Sequence, residues 1–187
     1  EIYNRILKLV NNSQLPHNHF VYSILLSIYE NNNQLSGVLN EADIVENYIE
    51  ILLHKHRLNI STSKPQYKTL IHFMGYISFH MTKIKRMHLH KNEFSRQALN
   101  YDELTFNDFE INDYLEPMID SGILIECHSG YLEFSHLCFF YYFLSKYMGD
   151  NQQVFDCVLE GDNYLHLDKC VEYYASKNAS SFSVLEF

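Results

Sequence analysis

No tryptophan, no C-x-x-C pair and no glycine-rich phosphate loop occurs in this chain. The last two absences each close a class of function. The six glycines are scattered and none precedes Lys-Ser or Lys-Thr, so the chain carries no P-loop of its own. No nucleophile elbow or comparable catalytic signature is present either. The cysteines (Cys127, Cys138, Cys157 and Cys170) stand too far apart for a zinc ribbon or a small disulfide scaffold. They read as reduced and partly buried. No stretch is long and apolar enough to cross a membrane, and no signal peptide is visible, so a cytoplasmic setting is expected. Basic residues are scarce, 14 Lys+Arg against 23 Asp+Glu for a net charge of −9. Nucleic-acid binding needs clustered positive charge, so the balance disfavours it and suits a soluble surface or a protein partner.

What is abundant is apolar and aromatic. The 187 residues are 47% hydrophobic, with 15 Tyr and 13 Phe, enough for a real core in one domain or in two or three small ones. Apolar residues at Ile2, Ile6, Leu9 and Val10 predict a short amphipathic helix that stops in an Asn-Asn-Ser run. A second helix comes after Pro16, with Phe20, Ile24, Leu25 and Ile28 as its stripe. A third opens after Asn40, a natural N-cap with acidic residues behind it, and closes on Lys55 and Arg57, all favourable to the helix dipole. Residues 59–65 read as a linker. Beyond it the pattern predicts one long helix over 65–89, two more over 92–104 and 105–122, and a C-cap at Gly122. Two short strands, 123–127 and 131–135, meet at a hairpin turn containing Gly130. The final helices are expected at about 136–148 and 163–178.

The expected fold is mostly α, with helical segments around a winged-helix-like module that contains one small β-hairpin. The expected division is 1–62, the end of a helical domain; 63–149, the winged-helix domain; and 150–187, the start of a second helical domain. The chain lacks an initiator Met and ends part-way through a plausible helix, so it is expected to be a piece of something longer.

Histidine pairs at His17/His19, His54/His56 and His88/His90 invite a metal reading. On a helix, residues i and i+2 lie on different faces, and no acidic third ligand is well placed, so no metal is expected. The basic run 83–91 reads as a solvated helix face. The helix ahead of the hairpin carries Asp108, Glu110, Asp113, Glu116 and Asp120 with no Lys or Arg, and phosphates would repel it. His136 stands where a strand turns into a helix that Ser135 can cap. On the residues alone two readings stay open: an anion site at the positive end of a helix, or a histidine packed in the junction and bonded to a backbone carbonyl.

Phe134, His136, Phe139, Tyr142 and Phe143 match the spacing F-x-H-x-x-F-x-x-[YF]-F. That pattern resembles the end of the winged-helix domain of NACHT-type STAND NTPases, signalling ATPases that include inflammasome sensors and bacterial anti-phage proteins. The family's usual Glu is Tyr141 here, and its Ala-Ala is Leu144-Ser145. Upstream, "LPHNHF" resembles the family's "LP-x-x-P-F", with His19 at the second proline. Downstream, "DKCVEYYASKN" resembles the start of its second helical domain, with Ser176 for Gly. The resemblance implies a regulatory role. His136 would contact the β-phosphate of ADP and hold a closed state, and Pro16 would form part of the adenine wall. ADP or ATP would be bound mainly by a preceding nucleotide-binding domain, and activation would release the closed state and allow homo-oligomerisation. The chain itself is expected not to be an enzyme, although the longer protein would be an ATPase. Two alternatives remain. A winged-helix DNA-binding module would lose duplex binding on charge reversal at Lys83, Lys85 and Arg86. A helical interaction domain would have no nucleotide role.

Overall fold

The computed structural model describes residues 2–12, 19–32, 40–57 and 65–178. Three helices come first: α1 (Ile2–Asn12), α2 (His19–Asn32) and α3 (Glu41–Arg57). Next are α4 (Tyr67–Lys83), β1 (His88–His90), α5 (Lys91–Thr105), α6 (Ile111–Asp120), β2 (Leu124–Cys127) and β3 (Tyr131–Phe134). The chain closes with α7 (Leu137–Asp150), α8 (Gln152–Leu159), α9 (Asn163–His166) and α10 (Asp168–Lys177). The class is the expected one, mostly α with a small antiparallel hairpin.

α3 divides the core by its own periodicity. Ala42, Val45, Ile49 and Leu53 face one cluster, while Ile44 and Ile51 face another built with α1 and α2. Its N-cap is Asn40 as expected. The Asn40 side chain accepts from the Asp43 N–H at 2.8 Å, and the Asp43 carboxylate accepts from the Asn40 N–H at 3.3 Å. α4 is apolar almost all round and runs through the larger cluster against α7. Gly75 allows that approach, because a Cβ there would lie 2.6 Å from the Tyr147 Cβ and 2.9 Å from the Phe143 carbonyl oxygen.

The long helix expected over 65–89 ends at Lys83. Lys85 takes the left-handed conformation (φ 53°), donating its N–H to the Thr82 carbonyl at 3.1 Å, and the Arg86 N–H reaches the Met81 carbonyl at 3.0 Å. This is a Schellman stop made without glycine, and a side chain in that conformation costs roughly 1–2 kcal/mol. Past the stop, His88–His90 form β1 instead of a last helical turn, giving a sheet of order β1-β3-β2. In it Leu89 faces Leu132 and Leu124 faces Phe134. Those four side chains form the buried face.

α6 begins at Ile111 rather than 105, because Glu110 and Asp113 build a capping box. α8, not expected, starts where the Asn151 side chain accepts from the N–H groups of Gln153 and Val154, and buries Val154 and Val158. The helix expected over 163–178 is interrupted at Leu167, which separates α9 from α10.

Candidate functional site

The strand-to-helix junction at 134–143 is held by aromatic packing. Phe134, Phe139, Tyr142 and Phe143 are all buried, with the Phe134 ring 5.8 Å from Phe143 and 5.9 Å from Phe140. The capping assignment differs from expectation. Ser135 does not cap α7; its hydroxyl donates to the Gly122 carbonyl at 2.6 Å and its N–H to the Ile123 carbonyl at 3.0 Å. The serine instead fastens β3 to the start of β2, and His136 itself occupies the N-cap with extended backbone and no side-chain capping bond.

The His136 side chain is therefore the exposed member of a pattern whose other four residues are buried. One side of its imidazole is covered: the Phe20 ring of α2 lies 4.4 Å away, tilted 46°, and the Phe139 ring lies edge-on at 5.7 Å. Burial pushes its pKa below the usual imidazole value, which favours the neutral ring. The helix end beneath it is less open than the sequence suggested. The Phe139 N–H bonds the His136 carbonyl at 3.1 Å. Burial raises the Cys138 thiol to about 12, while the backbone amides of Phe139 and Cys138 pull the other way by pointing at its sulfur. One exposed imidazole beside a helix N-terminus fits a single phosphate contact. It does not amount to a whole nucleotide site.

Pro16 and His17 lie outside the described residues, as does most of the expected linker. The structure brings His136 together with Phe20, the phenylalanine of the "LPHNHF" stretch. Sequence reading placed Phe20 on an apolar stripe and at the end of that motif, without pairing it with His136. Its signal was the aromatic at the very start of that helix.

The His88/His90 pair resolves differently from its expected helical geometry. His88 and His90 lie on a strand, where i and i+2 share one face, and both rings stand edge-on to Tyr131 at 5.1 and 5.3 Å. The His90 Nδ1 also accepts from the Asn92 N–H at 3.2 Å. Among the described residues, no group of three or more His, Cys, Asp or Glu side chains is placed to hold a metal ion, and no helix is long and apolar enough to cross a membrane. A cleft of about 630 Å³ between α3, α4, α5 and α7, lined by Tyr67, His72, Tyr101, Tyr142 and Lys146 among others, lies apart from His136.

A network of charge ties the far end of the chain to α3. Lys177 pairs with Asp43 and lies 2.6 Å from Glu46, Lys146 reaches Glu46 at 2.6 Å, and Lys169 reaches Glu41 at 3.1 Å. The Tyr142 hydroxyl donates to Glu46 at 3.1 Å and the Tyr173 hydroxyl to Glu41 at 2.7 Å.

The fold and junction define a helical module with a small antiparallel sheet and an exposed histidine at a helix start. Residues 88–144, from β1 into α7 and including His136, match the family model described as Novel STAND NTPase 4. The matched segment is thereby related to the STAND NTPases. Comparison with curated proteins and with solved structures returned no match.

Proposed function

We propose that this chain is the regulatory part of a STAND signalling ATPase of NACHT type, in which His136 senses the bound nucleotide. The observation that carries this reading is the division within the aromatic pattern. Packing accounts for Phe134, Phe139, Tyr142 and Phe143, whereas His136 is exposed at a helix N-terminus inside the matched span. A neutral imidazole can donate one N–H to a phosphate oxygen, and the positive end of α7 favours that charge.

In this reading the preceding residues of a longer protein carry the P-loop and bind ADP or ATP, with Pro16 against the adenine and His136 at the β-phosphate. The chain itself catalyses nothing and holds no metal; its partners are the nucleotide-binding domain and, after activation, further copies of the protein. Exchange of ADP for ATP alters what the imidazole meets, and the Phe20 contact carries that change to α2. The element order α4-β1-α5-α6-β2-β3 with sheet order β1-β3-β2 supports reading this region as a winged helix. α6, in the position that would enter DNA, keeps Glu116 and Asp120 exposed, which favours a protein-facing role over duplex binding.

The test is nucleotide content. The longer protein is purified as wild type and as His136→Ala, denatured, and its released nucleotide quantified by chromatography. ADP retained by the wild type and reduced at least tenfold in the variant is the expected result. Equal retention would demote His136 to packing, and no nucleotide in either protein would overturn the reading.

A further inference from the structure

The nucleotide reading leaves the basic run 83–91 unused, and that run does not lie along a helix face. The left-handed turn at Lys85 swings Lys85 and Arg86 off the end of α4. There they border a cavity of about 300 Å³ between α4, α7 and α9. Met81, Phe140 and Leu167, all buried, form its apolar floor, and His166 joins the two cations at the mouth. None of the lining residues is acidic. The acidic groups nearby act from outside it: Glu93 feels the charge of Arg86, and Tyr141 on the cavity wall feels that of Asp168. Among the described residues the Lys85 ammonium has no ion-pair partner.

Two features make this more than a solvated charge run. First, the basic groups come from separate elements, α9 and the α4–β1 turn, and meet over an apolar floor, which is the make-up of a small-ligand pocket. Second, the chain holds a lysine in a conformation that glycine would adopt without strain, at the point that puts its charge on the rim. On a chain of net charge −9 this is a local reversal of sign, so it selects for anions.

We propose that this cavity binds a small molecule with a flat apolar body and one anionic group, of the aryl carboxylate or aryl phosphate class. The body rests on Met81, Phe140 and Leu167, and the anion sits between Lys85, Arg86 and His166. This site is separate from the His136 junction and stands whether or not the nucleotide reading holds.

The probe is 1-naphthyl phosphate, titrated calorimetrically into the 187-residue chain, with 1-naphthol and inorganic phosphate as the body and the charge alone. One-to-one binding of the naphthyl phosphate, at least tenfold tighter than either control and weakened by salt, is expected. The double variant Lys85→Glu/Arg86→Glu should weaken it at least tenfold. Lys85→Gly removes one charge and relieves the turn, so it should weaken binding severalfold while thermal stability stays equal or rises. Equal affinity for 1-naphthol, unchanged binding in the charge-reversed chain, or no binding at millimolar probe would each overturn the proposal.

Discussion

The two hydrophobic clusters on either side of α3 are built from different materials. The smaller one, among α1, α2 and one face of α3, is aliphatic in its buried residues among those described: Ile6, Leu9, Val10, Val21, Ile24, Leu25, Ile28, Ile44 and Ile51. The larger one is interlocked by rings. Phe73 lies 4.2 Å from Tyr114, 5.1 Å from Tyr101 and 5.4 Å from Phe94, and the buried Tyr114 hydroxyl bonds the Asp102 carboxylate. Aliphatic contacts between helices are non-directional, so they stabilise without dictating one register. Ring geometry and a buried hydrogen bond permit far fewer arrangements. The contrast sets a geometrically specified module beside a less directional one, with α3 contributing to both. The joint is narrow: α3, the Tyr48 ring stacked on Phe139 at 6.1 Å, and the Phe20–His136 contact.

The strongest way to break this comparison is to cut both clusters. Phe73→Ala should cost about 3–5 kcal/mol, and Ile24→Ala toward the lower end of about 2–5 kcal/mol, in urea unfolding monitored by circular dichroism. Similar costs would erase the contrast.

A middle-sized effect is expected from the charges that hold α7 and α10 to α3. Burial raises the pKa of Glu46, but Lys146 and Lys177 outweigh it, so its carboxyl sits below the ordinary 4.5. A lowered folded pKa means the unfolded chain binds protons first. The stabilisation is therefore complete above pH 4.5 and lost as pH falls through the folded value. Melting temperature should fall with acid below that point, and Glu46→Gln should flatten the fall. An unchanged slope in the variant would show that these lysines do not stabilise the carboxylate.

The smallest effect sharpens the joint itself. Phe20→Ala should let the His136 pKa rise toward 6.5, read from imidazole proton shifts by NMR. The sign comes from burial of the neutral form: whatever stability that burial gives is lost as pH drops below 6.5 through the lowered value. An unmoved titration would mean that Phe20 does not desolvate the ring.

Much of the fold was legible in local patterns, and the rest depended on distant partners. Asn40 and the acids after it announced α3, because a capping box is made by residues three apart. The hairpin was readable from Gly130 and its flanking strands. β1 was not, since His88–His90 pair with residues more than forty positions away and their own sequence continues a helical pattern. Lys85 gave no warning of the stop, because only glycine would have advertised it. α8 did carry a local signal, Asn151 ahead of apolar residues four apart. At the site, the spacing singled out His136 but misassigned Ser135, whose hydroxyl goes to carbonyls thirteen and twelve residues earlier in the chain.

Residue order alone was enough for the helical class, most element positions and the pattern that sets one histidine among four aromatics. Those arise from periodicity and capping, which act over a turn or two of chain. Three-dimensional packing was needed to bury the four aromatics while His136 stays exposed beside Phe20. It also made β1 a strand and brought Lys85, Arg86 and His166 together over one cavity. Burial and convergence are properties of surfaces assembled from distant segments, and no local pattern encodes them.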